Sequence, residues 1–409
     1  MGWGWDLTTL KQRFIEERLA GERSMTELCA LYGISRQTGY ELMQRHHRDG
    51  RDGLRPRSHA PHQVPWTTPP EICQALIACR LDHPRWGPRK LKAFLARRTP
   101  EISWPAASTI GDLLKREGLV SRRRRIRRPL PRTQPFAPVT AANDLWCLDF
   151  KGWVRTKDGR RCDPFTVSDA YSRAVLGCRI CPPTAAGVEQ AMERVFREHG
   201  LPDRLRMDNG APWGSRGAGG LTRLSVQWLK LGLGLEFIPP GCPQANGRHE
   251  RLHATLKAET LRPPAATLAQ QQQRFDGFRR EFNEQRPHEA LGQATPGSVY
   301  EPARRAWPSR RPEVSYPAGA CVRRVRSNGE IRWRGELVFV GEAFVGEPVE
   351  LVETASGDTL VRFVGVDLVV IHRRTGAVRR CCPPRPALTA APPPQTHHQP
   401  PHVSPILPV

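Results

Sequence analysis

Residues Arg122-Arg123-Arg124-Arg125-Ile126-Arg127-Arg128 place six arginines in seven positions. Self-repulsion at that density opposes any compact fold unless phosphate lies alongside. The run therefore divides the chain, and the residues on either side must bury their own cores. The rest of the composition leans the same way: 63 Lys and Arg against 40 Asp and Glu give a formal charge of +23 over 409 residues. Nucleic acid is the first partner such a balance suggests, with Arg122, Arg123, Arg124 and Arg125 as a phosphate-tracking arm. No apolar run approaches the roughly eighteen residues of a membrane span, and residues 1–10 lack the basic flank and apolar stretch of a secretory signal. The expectation is a cytoplasmic protein without membrane contact. Eleven cysteines, an odd number scattered along the chain, suit reduced thiols better than a disulfide framework.

Before the arginine run the pattern is helical. Residues 8–47 read as three short helices, the second opening at Ser24 with Glu27 in capping-box spacing and broken by Gly33. Ser35 then caps a third helix, which gives helix-turn-helix spacing over residues 1–50. Ser35, Arg36, Gln37 and Thr38 are placed where a recognition helix meets a major groove. A plain pair of antiparallel helices is the bland alternative. Residues 51–68 read as a linker with Arg51, Arg55 and Arg57 and little apolar content. Periodicity resumes over 69–120 as a second helical DNA-binding unit, with one face of Ile72, Leu76, Ile77 and Leu81, a second of Leu91, Phe94 and Leu95, and a third of Ile110, Leu113 and Leu114. The arm itself spans 121–139.

From Asn143 short apolar strands alternate with helices, an α/β texture over 140–303. Strands are expected at 144–150, 165–167, 174–180, 204–207 and 235–238, and helices at 184–199, 221–231, 247–260 and 274–284. A joint at 304–313 leads to a small β-barrel-like DNA-binding module at 314–375, with Asn328-Gly329 as a hairpin turn. Residues 376–409 form a Pro-rich tail; ten of the 40 prolines lie from Cys382 onward, a composition that cannot bury a core. His397, His398 and His402 in that tail are not read as metal ligands.

Period-two alternation in the first strand puts Asp149 on one face with Leu145 and Cys147, and Trp146, Leu148 and Phe150 on the other. A carboxylate among apolar neighbours must meet a cation or sit at the strand's open end. Asp208 ends the fourth strand, and the following Asn209-Gly210 turn leaves it at the carboxyl edge of the sheet, where α/β ligands bind. Glu250 opens a helix after the loop Gly241-Cys242-Pro243-Gln244-Ala245-Asn246-Gly247. Three carboxylates without clustered His or Cys favour a hard cation, Mg²⁺ or Mn²⁺. Two such ions would serve phosphoryl transfer.

The blocks Trp146-Cys147-Leu148-Asp149-Phe150, Met207-Asp208-Asn209-Gly210-Ala211-Pro212 and the run from Pro243 through Glu250 to Lys257 occur in order. Together they resemble the DDE transposase and retroviral-type integrase family, specifically bacterial insertion-sequence transposases. The resemblance covers 140–303 and extends to the layout of the flanking units. It implies an RNase H-like core, with Asp149 and Asp208 as metal ligands at the sheet and Glu250 completing the catalytic set from its helix. It also implies DNA contacts by Asn246, Arg251 and Lys257, with Lys257 two turns from Glu250 on the same face. The implied activity is metal-dependent cleavage at the element's ends, followed by transfer of the freed 3′ hydroxyl into target DNA. The implied partners are terminal inverted repeats, target DNA and further copies of the chain, on a bacterial nucleoid. A catalytically silent regulator derived from a transposase is the rival, and an RNase H-like nuclease that only hydrolyses is a second.

His253 is expected to share the Glu250 face, while Leu252 and Leu256 turn to the sheet. Asp169 reads as a turn residue between strands. The spacer of 41 residues between Asp208 and Glu250 exceeds that of the best-known family members. The excess is assigned to the glycine-rich stretch 213–220, a loop insertion of small cost. Cys178-Arg179-Ile180-Cys181 reads as buried thiols, and no Cys-x-x-Cys lies between His46-His47 and the core to make a zinc module.

Overall fold

The computed structural model describes residues 7–55, 68–120, 138–238 and 247–381. The chain divides into two compact units, Met1–Pro69 and Pro70–Val409. Arg122, Arg123, Arg124, Arg125, Asn246 and the three tail histidines lie outside the described residues.

The first unit holds α1 (Leu7–Leu19), α2 (Met25–Tyr32) and α3 (Arg36–Asp49). Ser24 and Glu27 form the full capping box, with the Ser24 N–H donating to Glu27 at 2.8 Å and the Glu27 N–H to Ser24 Oγ at 3.3 Å. Gly33 stops α2 in the left-handed region at φ 65°. The helices close tightly because Gly39 has no side chain: a Cβ there would lie 2.7 Å from Cys29 Sγ and 2.9 Å from Met25 Sδ. The expected linker at 51–68 begins later than the composition suggested. A 3-10 turn, Gly50–Leu54, inserts Leu54 fully into the core of this unit beside Phe14 and Leu28. One apolar side chain at the right distance is enough to anchor a polar segment.

The second unit opens with α4 (Pro70–Asp82), α5 (Pro88–Arg98) and α6 (Ala107–Arg116). Their core joins Leu76, Leu91, Phe94, Ile110, Leu113 and Leu114 as expected. Leu81 does not join them and is exposed. Its place is filled by Trp86 from the following turn, buried and stacked on His83 with ring centroids 3.7 Å apart. A large aromatic in a loop is invisible to helical periodicity.

The α/β core carries β1 (Leu145–Phe150), the hairpin β2 (Val154–Arg155) and β3 (Arg161–Cys162), then β4 (Pro164–Asp169), β5 (Val175–Ile180), α7 (Ala185–His199) and β6 (Arg204–Met207). Next come α8 (Arg223–Lys230), β7 (Gly234–Phe237), α9 (Gly247–Thr260), α10 (Leu268–Glu284) and α11 (Pro296–Val299). The main sheet runs β5-β4-β1-β6-β7, antiparallel across the first three strands and parallel across the last three. Helix α10 begins six residues earlier than its apolar pattern, because Thr267 caps a polar first turn. Its amides complete the edge strand: Asn283 exchanges two hydrogen bonds with the Val175 backbone, at 2.8 and 2.9 Å, and Gln272 meets Ile180 N and Cys178 O. An edge answered in this way offers fewer pairing groups to another strand.

The carboxyl-terminal module holds β8 (Cys321–Arg324), β9 (Glu330–Trp333), β10 (Glu336–Phe339), β11 (Pro348–Glu353), β12 (Thr359–Phe363), β13 (Val366–Ile371) and β14 (Val378–Arg380). It is not a barrel. Five strands form an open antiparallel sheet in the order β14-β13-β12-β11-β8, and β9 and β10 pair separately. Closure is unnecessary because the sheet's apolar residues are covered by the core: Ile331, Phe344, Phe363, Val366 and Leu368 share one buried cluster with Trp146, Phe196 and Trp213. The stretch 213–220, expected to be a free loop, forms part of this contact. Trp213 and Ala218 are buried, and Gly219 sits at φ 63°, where a Cβ would meet Leu368 Cδ2 at 3.0 Å and Val366 Cγ1 at 3.3 Å. The joint at 304–313 likewise lies against the core, with Trp307 stacked on Phe196 at 5.5 Å and Arg311 paired with Glu189.

Candidate active site

Asp149 lies in the last turn of pleat of the central strand β1, its side chain 31% exposed. Asp208 directly follows β6, the parallel neighbour of β1, and is exposed at that strand's carboxyl end. Glu250 is exposed in the first turn of α9. Asp208 and Glu250 are both close enough to act on Asp149: burial pushes the Asp149 carboxyl up to about 7, the nearby Asp208 adds to this, and Glu250 adds further. Among the described residues, however, no three such side chains are close enough together to enclose a metal ion. The donor set nonetheless suits one. All three are hard oxygen donors, and among the described residues none has a Lys or Arg ion pair to neutralise it.

Buried neighbours hold the segments that carry Asp208 and Asp149. The buried Trp213 donates its indole N–H to Asp208 Oδ1 and stacks on Phe150 at 5.7 Å. On α9, His249 and His253 are buried at 1% and 5% exposure with Leu252 and Leu256. This corrects the expectation that His253 shares the Glu250 face: the buried stripe of α9 runs 249, 252, 253, 256 and 260. Both imidazoles meet Thr166 Oγ1 at 2.7 Å through Nε2, and the Thr166 hydroxyl donates to Asp149 O at 3.2 Å. That hydroxyl has one proton, so with it given to Asp149 O both rings act as N–H donors. His249 Nδ1 then accepts from Ser168 at 2.9 Å, and His253 Nδ1 faces Asp149 Oδ2 at 3.6 Å. Burial drives His249 down to about 3 and His253 to about 2, so both rings are neutral. The signal was in the sequence as two histidines at i and i+4 between leucines, but the same spacing serves a surface pair.

The other expected residues divide. Arg251 is exposed on α9 and donates to Gly247 O at 3.2 Å, and Lys257 is half-buried two turns beyond Glu250. Arg36 and Gln37 are exposed on the first turn of α3. Ser35 and Thr38 are exposed as well, but Ser35 Oγ caps the helix by accepting from Thr38 N at 3.1 Å and lies 2.9 Å from Thr38 Oγ1. Asp169, expected in the turn, is instead the last residue of β4, and from there it ties the turn down by accepting from Asn143 N, Tyr171 N and the Ser172 N–H and hydroxyl. Cys178 and Cys181 are buried thiols, both pushed up by burial.

A raised Asp149 carboxyl has a stability consequence. In the folded state it keeps its proton to about pH 7, whereas the unfolded chain releases it near 4. Its contribution is present below pH 4 and lost as pH rises through 7. In EDTA, Asp149→Asn is expected to raise the stability of the second unit at pH 8 by about 2 kcal/mol, after discounting for partial exposure. No gain is expected at pH 4. Thermal melts at the two pH values check this; an equal change at both would refute it.

A helix-turn-helix domain model matches residues 10–62 and a homeodomain-like domain model residues 38–114. Two integrase core domain models match 139–243 and 231–296, and the C-terminal domain model of IS481 family transposases matches 320–366. An uncharacterized protein of insertion element IS136 from Agrobacterium fabrum is 30% identical over 171 residues, 39% of this chain and 83% of that one. An uncharacterized protein of insertion element IS476 from Xanthomonas euvesicatoria is 26% identical over 302 residues, 72% of this chain and 79% of that one. Among solved structures, the HTLV-2 integrase catalytic core domain in complex with magnesium aligns with 39% of this chain and 98% of its own, at 16% identity and a TM-score of 0.32. Helix-turn-helix units ahead of an integrase core define a DNA-binding protein of a phosphoryl-transferase class. The chain belongs to the insertion-sequence transposases of the DDE/integrase family. Among the described residues, no helix is long and apolar enough to cross a membrane.

Proposed function

We propose that this protein cuts DNA at the ends of its insertion sequence and joins the freed 3′ hydroxyl to target DNA, using Asp149, Asp208 and Glu250. The observation that carries the reading is the half-buried Asp149 at the end of the central strand, held in the field of two further carboxylates without an Arg or Lys partner among the described residues. Mg²⁺ or Mn²⁺, as one or two ions, would supply charge neutralisation and activation of the attacking oxygen when bound. Trp213 fixes Asp208, and the Thr166, His249 and His253 network fixes the β1 end that carries Asp149. The two ends must be held together for joining, so the active form on DNA is an oligomer. Lys257 and Arg251 contact DNA phosphate, as do Asn246 and the arginine run.

The experiment supplies oligonucleotides from both borders of the gene, a supercoiled plasmid and Mn²⁺. Joined product establishes strand transfer. Nicks alone would mean hydrolysis, and border binding with neither would mean a regulator.

Within the first unit, α3 is proposed as the reading helix. Its base-edge candidates are Arg36 and Gln37, because Ser35 is committed to the cap. Replacing either with Ala is expected to lower border-over-random discrimination by about 1–3 kcal/mol. Competition binding at fixed salt tests this; an equal loss on random DNA would mark a phosphate contact instead.

A further inference from the structure

A cavity of 410 Å³ lies in the second unit, apart from the exposed edge that carries Asp208. Six basic side chains line it: Lys90 from α5, Arg173 from the β4–β5 turn, Arg248 and Arg251 from α9, and Arg286 and His288 after α10. The carboxylates within reach are already engaged. Asp169 accepts three hydrogen bonds from the following turn and one from Asn143 N, while Glu259 pairs with Arg286 at 2.8 Å and Glu289 with Arg89 at 2.8 Å. Lys90, Arg173, Arg248 and Arg251 have no carboxylate ion pair among the described residues.

Several of these groups repel a neighbour in the same cavity. Burial lowers Lys90 to about 8, and Arg286 adds to the effect. Burial lowers Arg173 to about 10, with Arg248 and Arg251 contributing. His288 falls to about 4 through burial first, then Lys90, Arg286, Arg173 and Arg251. Two buried polar atoms aimed among them, Arg173 Nη1 and His288 Nε2, have no hydrogen-bond partner within the described residues. Arg173 is moreover held at φ 67°, a region that a long side chain seldom adopts. Mutually repelling Lys and Arg side chains, with an unspent guanidinium donor on Arg173, are a cost to the folded state that one anion relieves.

We infer that this cavity is a binding site for a phosphate group, gripped by Arg173, Lys90 and the two arginines of α9. Planar guanidinium groups from two elements suit tetrahedral phosphate oxygens, and Lys90 adds a point charge from a third element. Leu252 and Phe282 add apolar wall, so the volume accepts more than one bare phosphate. The phosphate is carried either by the DNA backbone or by a small polyphosphate, and the chemistry at the cavity is the same for both. The site needs no carboxylate chemistry and no divalent metal, so it stands or falls independently of strand transfer.

The test is calorimetric titration of the full-length protein with tripolyphosphate in EDTA. Saturable binding of one tripolyphosphate per chain is expected. Lys90→Gln should weaken it about tenfold, and Lys90→Gln with Arg173→Gln about a hundredfold or more. Arg194→Gln, on the exposed side of α7, controls for the general charge of the chain. Melting curves confirm folding, and the Lys90 single variant keeps the test decisive where a change at Arg173 unsettles its turn. Non-saturable binding, or equal losses from Arg194→Gln and Lys90→Gln, would overturn the site. In a second arm, border duplex DNA is added to the tripolyphosphate complex. Stoichiometric displacement assigns the site to the DNA backbone, and retention assigns it to a free polyphosphate.

Discussion

Asp208→Asn is expected to abolish joined product while leaving fold and border binding intact. The substitution keeps the size of the side chain and an oxygen that still accepts from the Trp213 indole. What disappears is one negative charge at the carboxyl end of β6. On the proposed function, a hard cation held by Asp208 would stabilise the transition state by several kcal/mol, so losing that ligand should reduce joining at least about 1000-fold. Quantified joining with Mn²⁺, beside a melting curve and a border-binding titration, checks this. Joining within tenfold of wild type would remove Asp208 from the chemistry, whereas a fall in melting temperature would show that it acts on the fold.

The largest stability loss is expected from Glu236→Ala. Glu236 is fully buried in β7, opposite Arg206 of β6, and receives Arg206 Nε at 2.9 Å as well as Arg204. Both arginine side chains are themselves largely buried. Removing the shared carboxylate leaves two guanidinium groups in a poorly solvated layer, a loss of about 3–5 kcal/mol. For a unit of this size that is about a 10 °C drop in melting temperature. A triple replacement, Glu236→Leu with Arg204→Leu and Arg206→Met, should recover most of it, because a well-packed apolar layer replaces a buried ionic one without the desolvation term. Chemical denaturation of the three proteins separates the cases. A single-variant loss below about 1 kcal/mol would mean that water reaches the layer.

The helix-turn-helix was legible because its signals are local. Ser24 with Glu27, Gly33 and Ser35 act through hydrogen bonds and backbone angles within four residues of themselves, and each does so in the structure. The five core strands and the edge position of Asp208 were legible for a related reason: short apolar runs bounded by turn residues mark strands buried on both faces, as β1, β4 and β7 are. Misreadings came where a distant partner decided the outcome. Leu81 lost its core place to Trp86, which is brought there by a turn. The stretch 213–220 looked like a free insertion because its glycines carry no apolar signal, yet Gly219 is required to be small by Leu368 and Val366 from a module almost 150 residues further on. The β module looked closed because its own strands seemed to need a self-contained core, whereas its apolar residues share one with the α/β core.

By itself the sequence determined the polyanion partner, the order of helical units, α/β core and β module, and the three carboxylate blocks in order. Each depends on composition, periodicity or spacing along the chain. Only the tertiary structure decided that Thr166 ties both α9 imidazoles to the strand bearing Asp149, that Trp213 holds Asp208, and that Lys90 and Arg173, more than 80 residues apart, line one cavity. The physical reason is that side-chain hydrogen bonding and charge repulsion fall off within a few ångströms. They therefore depend on which elements the folded backbone brings together, and separation along the chain carries no record of it.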